Sequence, residues 1–395
     1  MSLPAVLPLH PADVFFGVCV PQVQTYLCAL PGAGLQRDGL GPRLATLIDE
    51  RFPRLAYRMP ATLGVVSTLR LDPAPATPLE LLPLTDLEAL DVPVLARSPG
   101  ERHWHLYVGH DGDLCLLLLV FDHLLCHGHT GRAFLYAAAD LLRPDASAPP
   151  ALTAAQRARF EAFQQHLTAG FHALAPWADY RRLAFPAADL QRLAKSLGQP
   201  FTEAAALWIG RSLLDVSHRG WPLDISIFRM DREADPATFV DLAVGNRGLQ
   251  LDAWELMLGG AYARAPAPVG DDPAGLTKFV NFYERFPWKW PLAWGMKAAI
   301  TGARRGGLKD ERERLVLNNL GATPWPFFRT MFFDPANDVD RFGLVFVDGV
   351  EDRVELQLAP PNRFLEHFDI EAFEARLAEN LTAMVGEPRV RALEG

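Results

Sequence analysis

The segment from Asp122 to His129 concentrates side chains that could carry chemistry. It contains Asp122, His123, Cys126, His127 and His129. Histidine is the side chain best matched to accepting a proton near neutral pH, so His123 is a candidate general base. The same residue types also bind zinc. A His-x-x-x-His pair serves a metal best on a helix, however, and Gly128 and the preceding apolar run argue against a helix here. The alternatives are a general base, a zinc site, and a histidine that only hydrogen-bonds its loop; we predict no metal.

The residues before this segment predict the element that positions it. An apolar run from Leu114 to Phe121 follows Asp111-Gly112-Asp113 and stops at Asp122. Such a run, bounded by polar turns, is typical of a buried strand. His123 would then lie where the core meets a cleft. A strand over 104–108 and a turn at 109–112 complete a hairpin, in which His103, His105 and His110 are expected to be exposed. A helix is predicted over 131–142.

Composition excludes several classes of function. The chain has 395 residues, of which 49% are apolar and 22% are charged, and its net charge is −9. The negative charge argues against nucleic acid as a partner. No apolar run approaches the ~20 residues needed to span a bilayer, and no secretion signal is apparent. Four scattered cysteines without a Cys-x-x-Cys pair predict reduced thiols and a cytoplasmic protein.

A proline-rich linker at 143–150 divides the chain into a predicted N-terminal lobe (1–150) and a C-terminal lobe (151–395). The second part predicts helices at 154–173, 187–196 and 202–217, strands at 223–228, 342–348 and 353–358, and a final helix from Asp369. Both parts end with a hairpin that leads to a helix. The sequence therefore predicts an α/β protein of two related lobes.

The order of several motifs resembles one superfamily. His123-Leu-Leu-Cys-His127-Gly128 is similar to the His-x-x-x-Asp-Gly motif of the chloramphenicol-acetyltransferase-like acyltransferases, which include condensation domains, wax-ester synthases and polyketide-associated acyltransferases. The other similar segments, in chain order, are 44–58, 228–232 with Gly245-Asn246, and 317–321. The resemblance therefore extends over most of the chain through weak motifs.

This resemblance implies mixed sheets flanked by helices in two lobes, a pseudo-dimer with a central tunnel. His123 would act as general base for transfer of an acyl group to a hydroxyl or amine of a small acceptor, a contribution of about 10²–10⁴-fold. The donor would be a thioester of coenzyme A or of the phosphopantetheine of an acyl or peptidyl carrier protein. No tightly bound cofactor is implied. Natural-product or lipid metabolism is the implied setting.

Two departures from the motif keep a second interpretation open. His127 replaces the motif aspartate, and Asp122 stands where condensation domains carry another histidine. The chain could therefore be a divergent member that binds a carrier protein or an intermediate, or templates a cyclisation, without transferring acyl groups. Substrate-binding or motif-supporting roles are expected for six residues: Asp122, His127, Gly128, Arg229, Asn246 and Asn319.

Overall fold

A computed structural model describes most of the chain. The described residues are 4–8, 22–59, 68–72, 77–91, 103–123, 125, 128–143, 145, 150–174, 181–218, 223–229, 250–256, 262–264, 313–323, 325–333, 342–350, 352–358 and 362–386. They form mixed sheets with helices packed against them, so the predicted α/β fold class is confirmed.

The first sheet carries the candidate site. Its order is β13-β2-β7-β6-β5, and all neighbours are antiparallel except β5 and β6. The strands are β2 (Gln22–Pro31), β5 (Leu79–Pro83), β6 (Trp104–His110), β7 (Leu114–Asp122) and β13 (Phe327–Phe333). A small sheet of β1 (Val6–Pro8), β4 (Thr68–Leu71) and β3 (Tyr57–Arg58) accompanies it, and a 3₁₀ helix spans Pro53–Ala56.

Strand β7 is apolar throughout because helices cover both faces of its sheet. Alternate residues point to opposite faces of a strand. Leu117, Leu119 and Phe121 share one core with helices α1 (Leu40–Arg51) and α3 (Gly128–Leu142). Leu116 and Leu118 share another core with α2 (Leu84–Glu88) and α4 (Ala154–Leu174). The strand predicted over 114–121 is therefore confirmed, and α3 begins three residues earlier than predicted.

The second sheet has the order β11-β10-β9-β12-β14-β15-β8. Strand β12 runs parallel to both of its neighbours, and the other pairs are antiparallel. Its strands are β8 (Arg181–Pro186), β9 (Leu223–Arg229), β10 (Gln250–Leu256), β11 (Tyr262–Arg264), β12 (Glu313–Thr323), β14 (Phe342–Val350) and β15 (Arg353–Leu358). Helices α5 (Ala187–Leu197), α6 (Phe201–Asp215) and α8 (Ile370–Gly386) share its core, and the short α7 (Asn362–Leu365) precedes α8.

Local capping explains two predicted helix starts. The Thr153 hydroxyl accepts a hydrogen bond from Gln156 N, and the Gln156 side chain accepts one from Thr153 N, which is a capping box at the start of α4. The Asp369 carboxylate accepts a hydrogen bond from Ala372 N at the start of α8. Among the described residues, no helix is both long enough and apolar enough to cross a bilayer.

One strand departs from the order of the chain. Strand β13 follows β12 in sequence, yet it pairs with β2 along seven residues and forms an edge of the first sheet. The Arg182 guanidinium of β8 donates a hydrogen bond of 2.9 Å to Phe327 O of β13, so edge strands of the two sheets meet. The boundary near residue 150 remains a prediction.

Candidate active site

The end of β7 places His123 beside the start of α3. His123 directly follows the last strand residue and is half-buried. Gly131 lets the helix approach the strand closely, because a Cβ at Gly131 would lie 2.3 Å from Phe121 Cζ. The ring of Phe121 is fully buried and packs edge-on against Tyr26. The strand end, the turn after it and the first turns of α3 are therefore held in one packed unit.

His103 lies beside this strand end, although the sequence predicted it to be an exposed hairpin residue. Its carbonyl accepts a hydrogen bond of 2.8 Å from Asp122 N, and its φ of 61° places it in the left-handed region. This region is uncommon for residues other than glycine, although histidine adopts it more readily than most. Burial lowers the pKa of the His103 imidazole, which favours the neutral ring.

The expectation that the hairpin histidines are exposed is wrong. His103, His105 and His110 are all partly buried. The ring of His105 stacks on that of Tyr107 with centroids 4.2 Å apart. A ring nitrogen of His110 lies 3.0 Å from Gly32 O. Turn composition could not predict the contact of His110 because Gly32 is 78 positions away in the sequence.

Polar side chains of the first sheet surround Gly128. The Tyr26 hydroxyl lies 2.9 Å from Gly128 O and 2.6 Å from Gln24 Oε1, and Arg329 Nη2 donates to Gln24 Oε1 at 3.2 Å. Gln24, Tyr26 and Arg329 are almost completely buried. A Cβ at Gly128 would lie 2.7 Å from the Tyr26 hydroxyl, which is closer than atoms of a real side chain approach. This contact explains why the motif position is glycine.

A carboxylate of the second sheet lies beside α3, which begins at Gly128 of the motif and is called the motif helix. Asp348 of β14 is fully buried, and its Oδ1 is 3.9 Å from Nη1 of Arg132 in α3. Burial raises the pKa of Asp348, and the positive charges of Arg329, Arg132 and Arg182 oppose that rise. Burial likewise lowers the pKa of Arg329. Buried charges require partners, so Asp348 and these arginines depend on one another.

Asn319 shapes the second-sheet surface that faces Arg132. Its amide nitrogen donates to the Thr202 hydroxyl at 2.7 Å, and its carbonyl accepts from Gly321 N at 2.9 Å. The β12–β14 register shifts between Asn319 and Gly321, whose φ is 79°. A Cβ at Gly321 would lie 3.8 Å from Arg132 Nη2. Asn319 therefore has a structural position at this bulge, across from the motif helix.

The remaining predicted site residues are placed as follows. Asp122 ends β7 opposite Val23 of β2 and is half-buried. Arg229 ends β9, paired with Gln250, and its side chain lies outside the described part of the chain. His127 and Asn246 also lie outside it. The structure thus brings Asp122, His123 and Gly128 together at one strand end.

Several residues around this strand end were not predicted from the sequence: Gln24, Tyr26, Arg132, Arg329 and Asp348. The available signal was polar residues at core positions of apolar strands, since Asp348 follows Val345–Val347 and Arg329 lies between phenylalanines and methionine. Because these residues come from distant segments, the sequence does not predict that they lie close together.

The described residues contain no group of three histidine, cysteine, aspartate or glutamate side chains arranged for a metal ion. Cys126 and His127 of the zinc alternative lie outside those residues. A cleft of about 700 Å³ lies between α4 and β8, and its lining includes Phe160, Thr168, Arg182 and Arg353. Among the predicted site residues whose side chains the structure describes, none lines this cleft, and the predicted tunnel remains a prediction.

Solved structures share this fold along nearly the whole chain. The epimerization domain from the third module of tyrocidine synthetase B matches with a TM-score of 0.57 and 11% identity over 97% of this chain and 96% of that one. Polyketide synthase associated protein 5 from Mycobacterium tuberculosis matches with a TM-score of 0.56 and 13% identity over 95% and 98%. Trichothecene 15-O-acetyltransferase from Fusarium sporotrichioides matches with a TM-score of 0.51 and 11% identity over 96% and 95%.

No protein-family model matches the sequence, and a comparison with curated protein sequences found no match. The structural likenesses nevertheless confirm the predicted fold. The chain therefore has the fold that these solved structures share.

Proposed function

We propose that this protein is an acyltransferase of the condensation type, with His123 as its general base. It would transfer an acyl group from a coenzyme A or carrier-protein thioester to a hydroxyl or amine. The observation that carries the proposal is the position of His123, half-buried at the end of a buried strand and next to a helix start held by Tyr26, within this fold. A fixed base and aligned reactants supply much of such catalysis.

The proposed reaction has two steps. The neutral His123 imidazole accepts the acceptor's proton as its oxygen or nitrogen attacks the thioester carbonyl, and a tetrahedral intermediate forms. The carbon–sulfur bond then breaks, and the imidazolium returns the proton to the leaving thiolate. The products are an ester or amide and a free thiol. No tightly bound cofactor takes part, and the thioester itself is the co-substrate.

The setting and partners belong to the same proposal. One of the structurally similar proteins is an acetyltransferase, and two others belong to or associate with peptide or polyketide synthases by name. These names support natural-product metabolism and an acyl or peptidyl carrier protein as a partner. The buried free thiols of Cys28 and Cys115 are consistent with a cytoplasmic protein. Asp122, His127, Arg229 and Asn246 are proposed to support the motif or the substrate.

The test measures thiol release from acyl-coenzyme A thioesters of increasing chain length and from an acyl-loaded carrier protein, each with alcohol and amine acceptors. His123→Ala should lower the rate by about 10²–10⁴-fold. His110→Gln is the matched control, since His110 is a partly buried histidine of the neighbouring strand that pairs with Cys115, at the end of β7 opposite to His123. Its rate should stay within about twofold of wild type. Undiminished thiol release by a folded His123→Ala variant would refute the role of His123.

A second candidate function is binding of a carrier protein or an intermediate without acyl transfer. The motif favours it because His127 cannot supply the permanent negative charge of an aspartate. An epimerization domain has the same fold, so the fold is compatible with chemistry other than acyl transfer. This candidate predicts carrier-protein binding without thiol release from any donor, and detectable acyl transfer would exclude it.

A further inference from the structure

We propose that Asp348 is the positioning residue of the motif helix: its carboxylate, contributed by the second sheet, anchors α3 through Arg132 and thereby fixes the loop that presents His123. The inference rests on the proposed function for its catalytic meaning. Its structural content, however, can be tested without a substrate.

The motif segment supplies no carboxylate to Arg132. No acidic residue occurs from His123 to Arg132, so the motif segment carries no negative charge of its own. Arg132 nevertheless lies largely buried, with 14% of its side chain exposed. A buried guanidinium requires an anion or a set of acceptors. Asp348 has 1% of its side chain exposed, and its Oδ1 lies 3.9 Å from Arg132 Nη1, so it is a carboxylate that can pair with this guanidinium.

The position of Asp348 links both sides of the motif helix start. Arg132 belongs to α3, whereas Arg329 belongs to β13, and the charges of both act on Asp348. Arg329 also donates to Gln24, and its Nη2 lies 3.2 Å from the position of a Gly128 Cβ. The negative charge of Asp348 therefore acts on two cations, Arg132 on the helix and Arg329 beneath the start of the helix. Loss of that carboxylate leaves the two cations to repel each other at the base of the loop.

The surrounding backbone keeps Asp348 in place. Gly349, the next residue, packs so closely on β12 that a Cβ there would lie 2.9 Å from Ala322 Cα. On the facing side, Arg132 Nη2 lies 3.8 Å from the place that a Cβ at Gly321 would take, which is ordinary van der Waals contact. The carboxylate is thus held by paired strands of the second sheet, and α3 is the element that would move.

The experiment compares Asp348→Asn with Glu374→Gln in protein labelled at histidine Cε1 with ¹³C. Glu374 is the control because it is a partly buried carboxylate of α8 that pairs at 2.8 Å with Arg181 of β8, and not with an arginine that acts on Asp348. The His123 resonance is assigned by its disappearance in His123→Ala. Asp348→Asn should shift or split this resonance, and Glu374→Gln should leave it in place. An unchanged His123 signal in folded Asp348→Asn, or an equal change in both variants, would overturn the proposal.

Arg132→Gln provides a second route if Asp348→Asn fails to fold. It should displace the same His123 resonance, and Arg132→Gln combined with Asp348→Asn should displace it no further than either change alone. Additive displacements would show that the two residues act separately and would refute the anchor. With a substrate in hand, Asp348→Asn should lower kcat by about 10²-fold with KM within about threefold, as expected for a misplaced base.

The outcomes separate this inference from the proposed function. If the wild-type protein transfers acyl groups but the His123 resonance is unchanged in Asp348→Asn, the proposed function is supported and the positioning role is refuted. If no donor yields thiol release while Asp348→Asn still displaces the signal, the positioning contact stands and the acyl-transfer proposal fails.

Discussion

Gly128→Ala tests whether the motif glycine is required by the Tyr26 hydroxyl. The new Cβ would lie 2.7 Å from that hydroxyl and 3.2 Å from both Arg329 Nη2 and Gln24 Oε1. The hydroxyl contact must be relieved by movement of a fully buried tyrosine, and overpacking of this kind costs about 1–3 kcal/mol. Tyr26→Phe removes the hydroxyl, so Gly128 O and Gln24 Oε1 lose a hydrogen-bonding partner. This loss costs about 1–3 kcal/mol of unfolding free energy.

The double variant distinguishes this explanation from a general sensitivity of the helix start. Once the hydroxyl is absent, the methyl group that Gly128→Ala introduces meets only the two contacts at 3.2 Å. We therefore expect Gly128→Ala to add about 1 kcal/mol or less in the Tyr26→Phe background, so the two effects fall short of additivity. Urea unfolding followed by far-UV circular dichroism and tryptophan fluorescence gives the free energies of unfolding.

Gly41→Ala is the control for the glycine-to-alanine change itself. Gly41 lies in α1, and the atom nearest to the place that its new methyl group would take is Leu79 Cδ2, at 4.0 Å. Alanine in a helix is favoured over glycine by about 0.5–1 kcal/mol, so this variant should be neutral or more stable. Fully additive losses for Gly128→Ala and Tyr26→Phe, with this control behaving as expected, would refute the steric explanation.

Two further predictions concern stability. Hydrogen bonds from Leu114 N and Arg159 lower the pKa of Asp111 to about 2, so Asp111→Ala should be less stable than wild type above about pH 4. Because the stabilisation is lost as Asp111 protonates, the gap in unfolding midpoint should close as the pH falls towards 2, and a pH-independent gap would contradict this. Trp104 is fully buried, donates to Leu55 O at 3.0 Å and packs edge-on against Phe134. Trp104→Phe should lose about 2–4 kcal/mol in urea unfolding, and a loss below about 1 kcal/mol would show that its hydrogen bond and packing matter little.

The sequence predicted the elements that carry strong local patterns. The uninterrupted apolar run of β7 required cover on both faces, and α1 and α3 supply one cover while α4 supplies the other. The capping residues Thr153 and Asp369 marked helix starts because their side chains satisfy nearby backbone groups. These are interactions within a few residues of the chain, so one sequence is enough to infer them.

The surroundings of the motif could not be predicted in this way. Gln24 and Arg329 are 305 positions apart in sequence, yet they are hydrogen-bonded beneath Gly128. The meeting of Arg132 with Asp348 depends on the placement of α3 against the second sheet. Periodicity reports which face of an element is buried, but it does not report which distant element covers that face.

The place of β13 in the first sheet has a consequence for biosynthesis. Strand β2 pairs with β7 on one side and with β13 on the other, and β13 ends at Phe333. When only the first half of the chain has been synthesised, β13 does not yet exist. The edge of β2 that β13 later covers is therefore still open. Uncovered strand edges invite pairing with other chains. During synthesis, the nascent N-terminal half therefore remains vulnerable to aggregation until more than three hundred residues have been translated.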